Sequence, residues 1–125
     1  MDDAAQPMSE ANQICHIEIV TQNQEASQKF YGDLFGWKMN SHGGEYTLFN
    51  PPSGVSGGFT APGSSLQSGT CIYIQVDDIE AKLKEIEEAG GEIVNPKTQI
   101  SEDVGYFGMF KDPQGNLIGL LSSPH

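Results

Sequence analysis

His16 and Glu18 stand two residues apart in the run ICHIEIV (14–20). If that run is extended, both side chains leave the same face of the strand, because side chains alternate with a period of two. An imidazole beside a carboxylate can pass protons as acid and base, or donate to a divalent metal. Cys71, Tyr73 and Gln75 repeat the spacing in TCIYIQ (70–75) and bring a thiol, a phenol and an amide to one face. These groups suit hydrogen bonding to a small molecule. Together with His16 and Glu18, Cys71 makes an atypical His/Glu/Cys metal site geometrically conceivable. Cys71 would be a nucleophile only if a neighbour lowered its pKa, and the commoner role of such a residue is that of a small buried hydrophobe. His42, in a glycine-rich stretch, and His125, the last residue, have no ligand spacing and are expected in solvent.

Strands must hold these groups, and the pattern supplies them. In residues 14–20, Ile17 and Ile19 face opposite His16, Glu18 and Val20. Asn23 is a fitting N-cap for a helix with Ala26, Phe30 and Leu34 on one stripe, ended by Gly36. Residues 37–39 and 46–49 read as strands, residues 51–54 as a Pro/Gly turn, and 55–60 as a short glycine-rich strand. After the linker APGSSLQSGT (61–70) the pattern restarts. Ile72, Ile74 and Val76 alternate with Cys71, Tyr73 and Gln75. Asp77 or Asp78 caps a helix with Ile79, Leu83 and Ile86 on its apolar stripe, and Gly90 with Gly91 stops it. Residues 92–94, 106–110 and 116–121 complete the set. Residues 1–12 are polar and unpatterned and read as a loose leader.

The halves align with each other. HIEI (16–19) falls on CIYI (71–74), and Gly36 on Gly91, at one shared offset. FNPPSGVSGGF (49–59) falls on FKDPQGNLIGL (110–120), which matches Phe49 with Phe110, Pro52 with Pro113, Gly54 with Gly115 and Gly58 with Gly119. A P-x-G turn before the last strand of each half is a structural repeat, since Pro presets φ and Gly permits positive φ. Gly57, Gly58, Gly108 and Gly119 fit two readings: strand curvature with close approach, or room for a flat ligand. Tyr46, Phe59, Tyr106, Phe107, Met109 and Phe110 supply bulk, mostly as core, and Trp37 is expected as a wedge between helix and sheet.

A duplicated βαβββ unit whose first strand opens on His, with YGDLFGW (31–37) and DPQGN (112–116), resembles the glyoxalase, bleomycin-resistance and extradiol-dioxygenase superfamily, the vicinal oxygen chelate proteins. The resemblance covers nearly all of the chain after the leader. It implies an α+β fold in which two βαβββ repeats (14–62 and 70–122) form a curved mixed-sheet cup, as one domain over 13–125. It also implies a homodimer. In the enzymes of that superfamily four strand positions hold a divalent metal. By motif these fall here on His16, Cys71, a residue near Gly58, and Gly119. Only His16 is a usual ligand, and the glycines stand where carboxylates are expected, so a retained metal or other cofactor is not expected.

Composition narrows the partners. The chain has 17 acidic residues against 6 lysines, no arginine, and a formal net charge of -11. That balance repels nucleic acid and anionic lipid. Without arginine there is no planar fork for carboxylates, which argues against a glutathione-linked isomerase. No apolar run approaches the roughly 20 residues of a spanning helix. Two cysteines without a CxxC pair, and no apolar signal segment, point to the cytoplasm. The resulting reading is a protein that binds a small uncharged or cationic organic molecule in its cup through His16, Glu18, Cys71, Tyr73 and Gln75, with Gly58 and Gly119 beneath. The alternative is a lyase or isomerase using His16 and Glu18 as acid and base, or an atypical metal-dependent enzyme. A purely structural partner domain is a third.

Overall fold

A computed structural model describes residues 11–41, 45–63 and 66–124. The leader apart from residues 11 and 12, His42 and His125 therefore lie outside the described residues. The chain runs β1 Ile14–Val20, α1 Gln24–Phe35, β2 Lys38–Ser41, β3 Tyr46–Asn50 and β4 Gly57–Thr60. It then repeats as β5 Thr70–Gln75, α2 Ile79–Glu88, β6 Glu92–Ser101, β7 Gly105–Lys111 and β8 Leu117–Ser122. The architecture is α+β, with mixed pairing throughout.

The chain divides into two compact units, one over His16–Ile72 and one over Tyr73–His125 together with the stretch ending at Cys15. Each has the same strand order. In the first, β2, β3 and β4 pair antiparallel in sequence, and β4 lies parallel to β1. In the second, β6, β7 and β8 pair antiparallel and β8 lies parallel to β5. The first strand of each unit thus lies beside its last. That parallel pair needs a long connection, which the helix and the intervening strands provide. In the second unit Asn12 N–H donates to Gln75 O at 2.6 Å and Gln75 N–H donates to Gln13 O at 2.9 Å, so backbone bonding to β5 begins ahead of Ile14.

Both helices start where the sequence says. Asn23 Oδ1 accepts from Ala26 N–H at 2.9 Å, and Asp78 rather than Asp77 caps α2, accepting from Ala81 N–H at 3.0 Å. Gly36, at φ 73, closes α1 in the left-handed conformation that a side chain rarely adopts. Among the described residues no helix is long and apolar enough to cross a membrane.

The two helices then differ in what they bury. Ile79 and Leu83 of α2 are sealed against Val76, Phe110 and Leu120, as the stripe predicts. The stripe of α1 points the other way, and Phe30 and Leu34 are 54% and 62% exposed. The helix docks instead through Gln24, Ser27, Gln28, Tyr31 and Gly32, a mostly polar face. Gln28 Nε2 donates to Thr47 Oγ1 at 3.1 Å, and Gln24 Nε2 donates to Phe59 O at 3.2 Å. Tyr31 stacks on Trp37 (centroids 4.9 Å apart), and Trp37 stacks on Phe49 (4.5 Å), which meets Phe59 at 4.9 Å. Trp37 is the expected wedge between helix and sheet, and this unit has an aromatic core where the other has an aliphatic one.

β6 also departs from the pattern, running ten residues through Pro96 where the sequence suggests a strand ending at Val94. It is an edge strand with register shifts on both sides of Pro96, the setting in which a missing N–H costs least.

These packing differences invert the ranking that periodicity gives. Phe59→Ala, at a wholly buried site, is expected to cost about 3–5 kcal/mol in urea unfolding. Phe30→Ala and Leu34→Ala are each expected to stay within about 0.5 kcal/mol of the parent. A large loss at Phe30 with a small one at Phe59 would contradict the helix orientation.

Candidate functional site

The parallel pairing of β1 with β4 sets Glu18 opposite Gly58. On the same face, β3 lies on the far side of β4, with Leu48 opposite Gly58 and Tyr46 opposite Thr60. Because Gly58 has no side chain, Tyr46 can lie diagonally across it and reach β1. Its hydroxyl arrives between the two residues first singled out: His16 Nε2 lies 3.0 Å from Tyr46 Oη, and Tyr46 Oη donates to Glu18 Oε2 at 3.4 Å. His16 Nε2 and Glu18 Oε2 are themselves 3.9 Å apart.

The electrostatics of the trio follow from its partial burial. Burial pushes the His16 imidazole below its usual value, so the ring is neutral near pH 7. Burial pushes the Tyr46 phenol well above its usual range, and the negative charge and hydrogen bond of Glu18 push it further. Tyr46 therefore remains a proton donor. With its one proton directed to Glu18, the phenol oxygen accepts from His16 Nε2–H, which leaves Nδ1 as the basic nitrogen. The side chains of His16 and Glu18 keep 19% and 20% of their surface, enough to meet a solute.

The remaining candidates are placed differently. Cys71 is 2% exposed, with Sγ 3.6 Å from Ile72 O, in the manner of a small hydrophobe. Cys15 is partly buried, and burial raises its thiol pKa. Tyr73 is 6% exposed and lies in the second unit, opposite Gly119 in the register of β5 with β8. A Cβ built on Gly119 would overlap the Tyr73 ring, just as one on Gly58 would overlap the Tyr46 hydroxyl. The room over both glycines is thus filled by a tyrosine of the same unit. Gly108 instead admits α2, since a Cβ there would lie 3.0 Å from Ile79 Cγ2. Gln75 is half-buried at the end of β5.

Tyr46 is the member of this trio that the sequence reading assigns to the core. The signal for it lies in Gly58, where a bare position on a strand invites a large side chain from the next strand. Phe59, Met109 and Phe110 are buried as expected of core residues.

The four positions implied as metal ligands do not form a donor set. Gly58 and Gly119 offer no donor, the thiol of Cys71 is buried, and His16 is engaged by a phenol held in its protonated form. Among the described residues no group of three His, Cys, Asp or Glu side chains could hold a metal ion. Hydrogen bonding and proton transfer are the chemistry these residues can supply.

The lowered His16 pKa fixes a pH dependence. The unfolded chain binds a proton near 6.5 and the folded one only at lower pH, so the His16 contribution to stability is fully present above about 6.5 and is lost as pH falls through the folded value. Measured by urea unfolding from pH 7.5 to 5, the parent should lose more stability than His16→Asn does. Equal slopes would contradict the assignment.

Comparison with known proteins agrees with this fold. The description "Glyoxalase/Bleomycin resistance protein/Dioxygenase superfamily" fits residues 13–120. A glyoxylase-like domain-containing protein of Didymella fabae is 30% identical over 90% of this chain and 94% of its own length. A putative glyoxylase of Mycobacterium bovis is 28% identical over 83% of this chain, which spans 43% of that protein's length. In structure, methylmalonyl-CoA epimerase from Mycobacterium tuberculosis matches with a TM-score of 0.72 at 16% identity, covering 98% of this chain and 96% of that one, a likeness of fold. The doubled βαβββ unit, its parallel first and last strands and the extent of these matches place the chain in the glyoxalase/bleomycin-resistance/dioxygenase superfamily.

Proposed function

We propose that this glyoxalase/bleomycin-resistance-like protein binds a small organic molecule, uncharged or cationic, through His16, Tyr46 and Glu18. The observation that carries this reading is the bonded trio itself: a neutral imidazole, a protonated phenol and a carboxylate share one hydroxyl on a face that keeps solvent contact. Such a set offers acceptors and one negative charge within a few ångströms. A ligand N–H or ammonium group suits it, and an anionic ligand does not, as expected for a chain of net charge -11 without arginine. Residues 13–125 act as one domain on this reading. Two cysteines outside any disulfide suit a reducing cytoplasm, and exposed Phe30, Leu34 and Phe35 leave apolar surface for a homodimer.

A lyase or isomerase is the second reading, favoured by the lowered His16 pKa, which keeps the imidazole unprotonated and able to accept a proton at neutral pH. His16 Nδ1 would take a proton from the substrate, and the Tyr46 oxygen, accepting from His16 Nε2–H, would steady the imidazolium that forms.

A thermal-shift screen of uncharged and cationic organic compounds, followed by calorimetric titration, tests the binding reading. For a compound found this way, Glu18→Gln and His16→Ala are each expected to weaken binding by about tenfold or more, the scale of one lost charge-assisted hydrogen bond. Binding unchanged in both variants would refute the site. Solvent deuterium entering a bound carbonyl compound, and ceasing in His16→Ala, would favour the enzyme.

A further inference from the structure

We infer that Gly58 with Tyr46, and Gly119 with Tyr73, are matched replacements that fill with a phenol ring the two strand positions where the superfamily resemblance puts metal carboxylates, and that Tyr46 keeps a metal ion from the His16–Glu18 face. This goes beyond the binding reading and holds whichever ligand the trio takes.

Three observations carry it. The first is volume: any side chain at position 58 would overlap the Tyr46 hydroxyl and Cζ, and any side chain at 119 would overlap Cδ2 and Cε2 of Tyr73. A carboxylate cannot stand at either position while its tyrosine stays. The second is spacing. Metal–nitrogen and metal–oxygen bonds of about 2.0–2.2 Å at the tetrahedral angle set two ligand atoms of one ion about 3.3–3.6 Å apart. His16 Nε2 and Glu18 Oε2, 3.9 Å apart, need to close by only a few tenths of an ångström to reach that spacing, yet both are turned to one phenol oxygen at 3.0 and 3.4 Å. The third is repetition. The tyrosines reach their glycines from different neighbours, Tyr46 diagonally from the antiparallel strand β3 and Tyr73 directly from the parallel strand β5. Two separate routes to one outcome mark a property of the site and not an accident of one strand.

The register also says what would reverse the replacement. Glu18 and position 58 are direct neighbours on β1 and β4. Glutamate at 58, once the Tyr46 ring is gone, would add a second carboxylate beside Glu18 and His16, making three donors within one unit.

The test uses the full chain as parent, Gly58→Ala, Tyr46→Ala, the pair Tyr46→Ala/Gly58→Ala, and the pair Tyr46→Ala/Gly58→Glu. Melting temperature is measured for each, and zinc content after dialysis against zinc and then against buffer. Gly58→Ala alone should melt roughly 5–10 °C below the parent, the scale of overpacking in a domain of this size. The pair Tyr46→Ala/Gly58→Ala should melt no lower than Tyr46→Ala. The parent should retain no zinc. The pair Tyr46→Ala/Gly58→Glu should retain close to one equivalent, lost again on adding His16→Ala. A Gly58→Ala protein that melts like the parent, a parent that holds stoichiometric zinc, or a folded Tyr46→Ala/Gly58→Glu protein that holds none overturns the inference. If that last pair does not fold, the alanine pair and the parent's zinc content decide it.

Discussion

The parallel pairing of first and last strand within each βαβββ unit is the constraint on which the rest of this structure depends. It fixes which residue stands beside which: Glu18 beside Gly58, and Tyr73 beside Gly119. Because side chains alternate along a strand, one residue of slip would turn every polar group of β1 to the helix side and the isoleucines away from it. The hairpin strands that follow are set from this pair. Their register brings Tyr46 within reach of His16, a residue 30 positions earlier in the chain.

Around that frame the two units reach stability by different means. The second buries aliphatic side chains of α2, and its packing is close enough that Gly108 is needed where the helix crosses. The first holds α1 by glutamine side chains and stacked rings. Gln24 Nε2 bonds to the backbone oxygen of Phe59, and Gln28 Nε2 to the buried hydroxyl of Thr47. Once those bonds and the Tyr31–Trp37–Phe49 stack orient the helix, its apolar stripe has no sheet left to meet.

The same economy of volume shapes the polar face. A strand glycine weakens a sheet unless something fills the gap, and here a phenol does so twice. In the first unit the phenol also ties an imidazole to a carboxylate. Placed in a partly buried setting beside a negative charge, it cannot readily ionise, and the imidazole cannot readily protonate. The three groups are joined by hydrogen bonds around one phenol oxygen.

Much of this was written in the chain itself. Alternation in residues 14–20 and 70–75, the caps Asn23 and Asp78, Gly36 and the doubled P-x-G turn determine the βαβββ order, because local sterics and backbone hydrogen bonding act over a few residues. The pairing of His16 with Glu18 follows from the same period. Tertiary structure alone decided the rest. The face of α1 that meets the sheet depends on partners in β3 and β4, and the course of β6 through Pro96 depends on its being an edge. The role of Tyr46 depends on an empty position on the next strand, two residues of register away. Those are matters of volume and reach between segments distant in sequence, and no local periodicity carries them.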